Sequence, residues 1–393
     1  MTKARTRQFW TKIHRWLGLT ALGFLFIAGV TGSFLCFDKR IDAALNADLF
    51  YQASPGALAS PTVLAARYQA RHPELAVTSF PLNVPDARTL QLKVAPAPGS
   101  TAGFDEVYID RSYERVVGVR QSGAGWDRRH IVEGIFQLHA NLVAGTWGRW
   151  IMGIAALGWF IGNFVGLYLT FPAKTPFWPK WKKKWTIDTR ARLRRLMLEI
   201  HNASGLWLLI PATVLAYTSV AMNFFDEAFV PMVEATSPPR PSLFDKPATA
   251  AAPNGPGIGF ARALDIGVAA ARADGLGWQP ALQRFSPQYH VYGVTFTDNG
   301  VENYHALGPV TYYVDAATGR LVERDDPYND SFGRKLIRSL YPLHSGDVAG
   351  GFGIAIIFIL GLSTAEMCVT GVYTWWKKRE SRRGKGTQRA ARP

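Results

Sequence analysis

The chain is poor in cysteine, in acidic residues and in charge of any kind. Two cysteines occur in 393 residues, Cys36 and Cys368, and both fall inside apolar stretches. They supply no disulfide framework for an exported region, and no C-x-x-C spacing exists to hold a metal. C-x-x-C-H is absent as well, so any haem would be held without thioether links. Asp and Glu number 29 against 44 Lys and Arg, a net charge of +15. A basic balance can signal nucleic acid, but here the basic residues are bunched beside apolar runs. Membrane helices explain that bunching more simply, and no nucleic-acid partner is expected. The first apolar run also lacks the small-residue cleavage site of a signal peptide. It is followed by Phe37-Asp38-Lys39-Arg40 and reads as a retained helix.

What is present is apolar length. Runs at about 16–37, 150–171, 206–225 and 352–376 each reach roughly 20 residues, enough to cross a hydrocarbon core of about 30 Å. Lys and Arg set the orientation. They cluster at Lys3–Arg15, between Lys174 and Arg195, and at Lys377–Lys385, and all three clusters belong on the cytoplasmic side. The two long segments between them carry mixed charge and are expected outside. The division is a cytoplasmic lead (1–15), a first transmembrane helix (16–37) and an external domain (38–138). A second helix (139–171), a cytoplasmic connector (172–203) and a third helix (204–225) follow. A second external domain (226–343), a fourth helix (344–376) and a basic tail (377–393) complete the chain.

The chain repeats two phrases. Ile13-His14 leads to Gly18-Leu19 and Ile200-His201 to Gly205-Leu206; both read I-H-x-x-x-G-L. Leu138-His139 leads to Val143-Ala144-Gly145 and Gly148, and Leu343-His344 to Val348-Ala349-Gly350 and Gly353. Upstream of this second phrase, Tyr108-Ile109-Asp110 with Arg115, and Tyr313-Val314-Asp315 with Arg320, form a strand–turn–strand unit in the same register. Glu114 stands where the second copy has Gly319, so the first turn is expected to differ. The register continues to Gly166 and Gly371. The fold class that follows is a mainly α membrane protein. Its four transmembrane helices form a tandem parallel repeat, with two external α+β domains. A short helix is expected at 61–71 behind Ser60-Pro61 and strands at 89–94, 106–110, 289–298 and 311–314. A further helix is expected at 258–273, and a Pro- and Ala-rich linker at 237–257.

This topology places His14 and His201 at the cytoplasmic ends of helices one and three. It places His139 and His344 at the external ends of helices two and four. A pseudo-two-fold axis would set each pair face to face. Bundle cores bind cofactors from facing helices, and haem iron takes two axial ligands, for which neutral imidazole serves. Two non-covalent bis-histidine haems b are therefore expected, one at each pair. A lone interfacial histidine or a membrane glycine needs no such role; four histidines in matched pairs ask for one. Gly18, Gly205, Gly145 and Gly350, with Gly148 and Gly353, would give clearance for a flat macrocycle. Arg15, Arg194 and Arg195 inside, and Arg129, Arg149, Arg334 and Arg338 outside, would pair with propionates. Glu366, midway along helix four, reads either as a proton relay or as a partner for Tyr217, Thr218 or Ser219. Trp126 and Tyr341 are candidates for a substrate surface or for interfacial anchors. His130 falls on nearly the opposite helix face to His139 at about 3.6 residues per turn. It and His72, His290 and His305 read as surface residues.

The H-R-W-L-G-L, L-H-x-x-x-V-A-G-x-x-G, I-H-N-A-S-G-L-W and L-H-S-G stretches resemble the PepSY-associated transmembrane proteins. The Y-V-D-x-x-x-G-R-L-V unit is similar to the PepSY module itself. The resemblance covers nearly the whole chain. It implies a bacterial inner-membrane protein linked to iron uptake, of the ferric-siderophore reductase type, with His14, His139, His201 and His344 as ligands of two haems b. The expected oxidoreductase would pass electrons from a cytoplasmic donor, a flavin reductase or quinol, to a periplasmic ferric siderophore. A hydroxamate is favoured, because Fe(II) is a poorer partner for hard oxygen ligands. Three rivals share parts of the pattern: a haem conduit to a periplasmic protein, a haem-free regulator of a peptidase, and a siderophore transporter. Only four helices and no broken-helix site argue against the transporter.

Overall fold

The first apolar run continues the basic lead without a break. In the computed structural model, which describes residues 3–52, 56–97, 99–247 and 257–390, it forms α1 (Lys3–Leu35). Two short helices follow, α2 (Asp38–Leu45) and α3 (Ala47–Phe50), and then α4 (Pro61–Arg71). Proline at the first position of α4 loses no hydrogen bond there, and its fixed φ suits a helix start. Beyond the first external segment come α5 (Ile131–Asn141), α6 (Gly145–Thr170) and α7 (Phe177–Lys182). The third apolar run is two helices, α8 (Leu193–Trp207) and α9 (Leu209–Asn223), bent by 72°. Last come α10 (Val230–Thr236), α11 (Gly259–Ala273), α12 (Phe332–Ser345) and α13 (Gly350–Ala390). The expected linker lies outside the described residues over 248–256, as do the side chains of Arg382, Arg383 and Lys385.

The bend has a local cause. Pro211 cannot donate to the carbonyl four residues back, that of Trp207, and its ring crowds that carbonyl. The helix breaks at Leu208, whose φ is −103° and ψ 11°. The single helix expected at 204–225 is therefore interrupted. So is the premise that the chain has no broken helix. Among the described residues, three helices are long and apolar enough to cross a membrane, at Ala4–Leu35, Gly145–Thr170 and Asp347–Ser381, or four if the bent pair is one span.

The expected second and fourth helices start later than the sequence suggested. His139 and His344 do not lie on α6 and α13. They end the shorter helices α5 and α12, and a tight corner follows each. Gly145 and Gly350 both sit at φ +56°, a conformation that costs an L-residue roughly 1–2 kcal/mol. At Gly148 a Cβ would fall 1.7 Å from the Asn141 carbonyl oxygen, and at Gly353 1.9 Å from that of Gly346. These four glycines let each corner close.

Outside the bundle, each external segment contributes a four-stranded antiparallel meander. The strands are β1 (Leu75–Pro81), β2 (Leu90–Pro96), β3 (Glu106–Asp110) and β4 (Arg115–Arg120), then β5 (Gln279–Ser286), β6 (Val291–Thr297), β7 (Val310–Asp315) and β8 (Leu321–Asp325). The two meanders are one sheet, in the order β4-β3-β2-β1-β5-β6-β7-β8. Strand β1 pairs with β5 through Ser79–Arg284, Phe80–Gln283 and Pro81–Leu282. Helices α4 and α11 meet over this seam. Leu64 and Ala65 from one, and Phe260 and Ala263 from the other, share a core with Phe80 and Tyr292. Phe80 and Phe260 meet edge to face at 5.2 Å. Burying side chains of this size contributes about 1.5–3 kcal/mol each.

The β3–β4 and β7–β8 turns are alike, contrary to expectation. Asp110 Oδ1 accepts from the backbone of Ser112 and Tyr113, and Asp315 Oδ1 from that of Ala317 and Thr318. Glu114 takes φ +54° where Gly319 takes +72°. The glutamate adopts the glycine's left-handed backbone, and Arg67 binds its carboxylate.

Candidate functional site

The histidine pairs come together. His14 on α1 and His201 on α8 have ring centroids 6.5 Å apart, with planes inclined at 77°. His139 on α5 and His344 on α12 lie 6.2 Å apart at 67°. The outer pair packs beside the far end of α1, where Thr31 Oγ1 lies 3.1 Å from His139 Nδ1. Thr31 stands seventeen positions beyond His14, or roughly 26 Å along a helix rising about 1.5 Å per residue. The pairs therefore occupy two levels of one bundle. The packing is close around them. A Cβ on Gly32 would come 3.0 Å from the His139 ring, on Gly166 3.2 Å from His14, and on Gly371 3.5 Å from His201. Helices α1 and α13 also touch through Gly29, where a Cβ would fall 2.5 Å from the Gly361 carbonyl oxygen.

Each ring is oriented through Nδ1 where a partner exists. Thr218 Oγ1 lies 3.1 Å from His344 Nδ1, the counterpart of Thr31 and His139. His201 Nδ1 faces the Met367 carbonyl at 3.2 Å and Thr370 Oγ1 at 3.1 Å. His14 Nδ1 is buried with no side-chain partner and faces the Gly162 carbonyl. A bond donated from Nδ1 leaves Nε2 with a free lone pair. The Nε2 atoms of His139, His201 and His344 have no partner among the described residues. A metal bound by two imidazoles at about 2 Å from each nitrogen sets the ring centroids roughly 6.3 Å apart, close to both observed separations. Two protein ligands are too few for a bare structural zinc, which takes four, but they match the two axial positions of a haem iron. The donor sets therefore fit that group.

A family model described as the PepSY-associated TM region matches residues 11–378. The chain belongs to that family. No curated protein matches it. In this member of the PepSY-associated TM family, the matched stretch contains all four histidines and both corners.

Several expected roles change with the structure. Gly145, Gly148, Gly350 and Gly353 serve the corners, and the glycines that face histidine rings are Gly32, Gly166 and Gly371. Gly18 borders open space, and Gly205 would meet only the Met367 sulfur at 3.6 Å. The arginines expected outside have protein partners. Arg334 binds Asp325 at 2.8 Å, and Arg338 bonds the Leu307 and Pro309 carbonyls. Arg129 binds Asp48, which its hydrogen bond holds below the usual carboxylate range. Arg149 binds Glu227. Near the His14–His201 pair's end of the bundle, Arg195 pairs with Glu199 at 2.7 Å. Arg15 and Arg194 have no partner among the described residues. Arg7 caps the end of α6 through the Phe171 and Leu169 carbonyls, where a cation suits the helix C-terminus.

Glu366 is not placed against Tyr217, Thr218 or Ser219. It lies on α13 beside Ser204 and Thr370, next to the inner pair, and its Oε1 is buried without a partner. Tyr341 stacks edge-on with Tyr304 at 4.9 Å, one helical turn before His344. Trp126 is exposed. His72, His130 and His305 pair with nearby carboxylates at the surface. His290 differs from expectation. It is buried behind Phe285 at φ +50°, and neither ring nitrogen has a partner.

Proposed function

We propose that this PepSY-associated TM protein is a dihaem b membrane reductase that passes electrons from the cytoplasmic side to a periplasmic ferric siderophore. The observation that carries the reading is the pair of histidine couples, at two levels, each at a separation that suits one metal between two imidazoles. His14 and His201 hold the inner group, and His139 and His344 the outer. Bound haem would supply one-electron chemistry. The chain supplies the ligands and the spacing. No acid–base residue is needed for the iron step.

The bent pair counts as one crossing in this reading. Helix α8 carries His201 at the inner level and α9 carries Thr218 at the outer level, as α1 alone carries His14 and Thr31. Four crossings then form a tandem parallel repeat, with both termini in the cytoplasm of a bacterial inner membrane. The basic clusters at the inner ends support that orientation. The siderophore, of hydroxamate type, would meet the outer face beneath the joined sheet, and a flavin reductase or quinol would donate inside.

The test is spectroscopic. Purified protein should give reduced-minus-oxidised haem bands, and a ferric siderophore should reoxidise the reduced form. Absence of bands would sink the reading and favour a haem-free regulator. Bands that a ferric siderophore leaves reduced would point to a conduit for a protein partner.

A further inference from the structure

We infer that Thr31 and Thr218 are the positioning residues that set the electronic state of the outer centre, and that the inner centre lacks half of this device. The inference rests on the haem reading above, but concerns side chains that reading does not need. Each threonine sits one helix away from its histidine and contacts only Nδ1. Thr31 Oγ1 donates to the Ile27 carbonyl at 2.6 Å, and Thr218 Oγ1 donates to the Leu215 carbonyl at 3.0 Å. With each hydroxyl proton so committed, its oxygen can only accept from the ring. His139 and His344 must then carry the proton on Nδ1 and present a bare Nε2. The two threonines are separated by the same length of chain as His14 and His201, so the device recurs in register.

The inner level shows what is missing. His201 Nδ1 has the Met367 carbonyl and Thr370 Oγ1. In the register that aligns Gly166 with Gly371, the residue facing His14 at Thr370's place is Val165. Valine offers no oxygen, so His14 keeps only the Gly162 backbone carbonyl, the counterpart of Met367 on His201, and lacks the hydroxyl. A ligand imidazole that donates from Nδ1 is the more basic ligand. Greater basicity favours the oxidised, more positively charged iron, and so lowers the reduction potential. The outer centre therefore has a hydroxyl acceptor behind both ligands and the inner centre behind one.

The experiment is a redox titration of the full-length protein, following the visible bands and the low-temperature electron spin resonance of the oxidised form. Thr31→Val and Thr218→Val should each raise the midpoint of the outer centre and shift its resonance, leaving the inner centre unmoved. Thr31→Ser and Thr218→Ser should restore both. Val165→Thr should lower the inner midpoint alone. Unchanged outer signals in both valine variants, with haem bound, would overturn the inference while leaving the haem reading intact. Wild-type protein without haem bands would overturn the haem reading first. If a valine variant loses the outer haem, its return in the serine variant supports the assignment. Val165→Thr tests the same device independently at the inner level, where an unmoved midpoint counts against it.

Discussion

The inner and outer histidine pairs are built differently, although the sequence presents them as equals. The inner histidines ride on helices that continue past them, α1 and α8. Their neighbours along the same helix set their height. The outer histidines close α5 and α12, just before corners that Gly145 and Gly350 turn at φ +56°. Their position depends on the corner as well as on a threonine from another helix, a contact that His201 also has through Thr370. The outer level thus adds a corner to the cross-helix contacts that both levels have, and a backbone change at that corner should move it first. The corners differ too. The start of α6 is clamped by Arg149, which binds Glu227 and the Asn223 carbonyl. The matched start of α13 carries no such clamp among the described residues.

The largest effect should come from the ligands. On the proposed haem reading, His344→Ala should remove the outer haem and keep the inner, and His14→Ala the reverse, counted by haem per protein. His130→Ala should remove neither, since it serves a surface pair with Asp127. If His14→Ala empties both levels, the pairs are not independent.

Next come the corners. Gly148→Ala places a methyl against the Asn141 carbonyl oxygen, and overpacking of this kind costs about 1–3 kcal/mol or more. It should weaken the outer centre at temperatures where the inner one persists, read by thermal loss of the two sets of bands. Gly166→Ala, whose methyl would meet His14 at 3.2 Å, should disturb the inner centre alone and less severely. Equal loss at both levels from either variant would break the comparison.

The clamp gives a pH dependence. The Arg149 hydrogen bond, with a second from Trp150, holds the Glu227 carboxyl down to about 2. A depressed carboxylate stabilises the fold above its ordinary value, and that contribution is lost as pH falls toward about 2. Thermal stability should therefore be flat in this respect from neutral pH down to about 5, then decline. Glu227→Gln should be less stable at neutral pH and lose this part of the decline. A decline of the same size in the variant would show that the clamp does not matter.

The smallest effect concerns the two turns. Glu114→Gly removes a left-handed glutamate that costs about 1 kcal/mol and gives up an exposed pair with Arg67 worth little. Melting should shift upward by a small amount. Gly319→Glu at the matched turn should shift it downward. A downward shift for both would mean that the Arg67 pair outweighs the strain.

Much of this was legible in the sequence, because the signals are local. Proline behind Ser60 marks α4, alternating residues mark β2, and the apolar runs mark α1, α6 and α13. The recurrence of I-H-x-x-x-G-L and of L-H-x-x-x-V-A-G picked out the four histidines. Other features depend on partners far along the chain. Nothing in Phe80 or Gln283 announces that β1 and β5 will pair. Glycines of one phrase look alike on paper, yet Gly145 turns a corner while Gly18 borders open space. Arg334 and Arg149 look free until Asp325 and Glu227 arrive beside them. Pro211 is different: its missing N–H is a local signal for the break at Leu208, yet the run reads by its apolar length as one unbroken helix.

By itself the sequence determined where helices of membrane length lie, which ends are basic, and which histidines recur in register. Hydrophobic length and charge bunching act through the solvent on each segment separately, so they need no knowledge of neighbours. Only the tertiary structure decided that the recurring histidines meet in pairs, that threonines from α1 and α9 orient the outer two, and that both meanders merge into one sheet. Those are contacts between segments far apart in the chain. They depend on where glycine lets backbones approach and where a buried donor finds its acceptor.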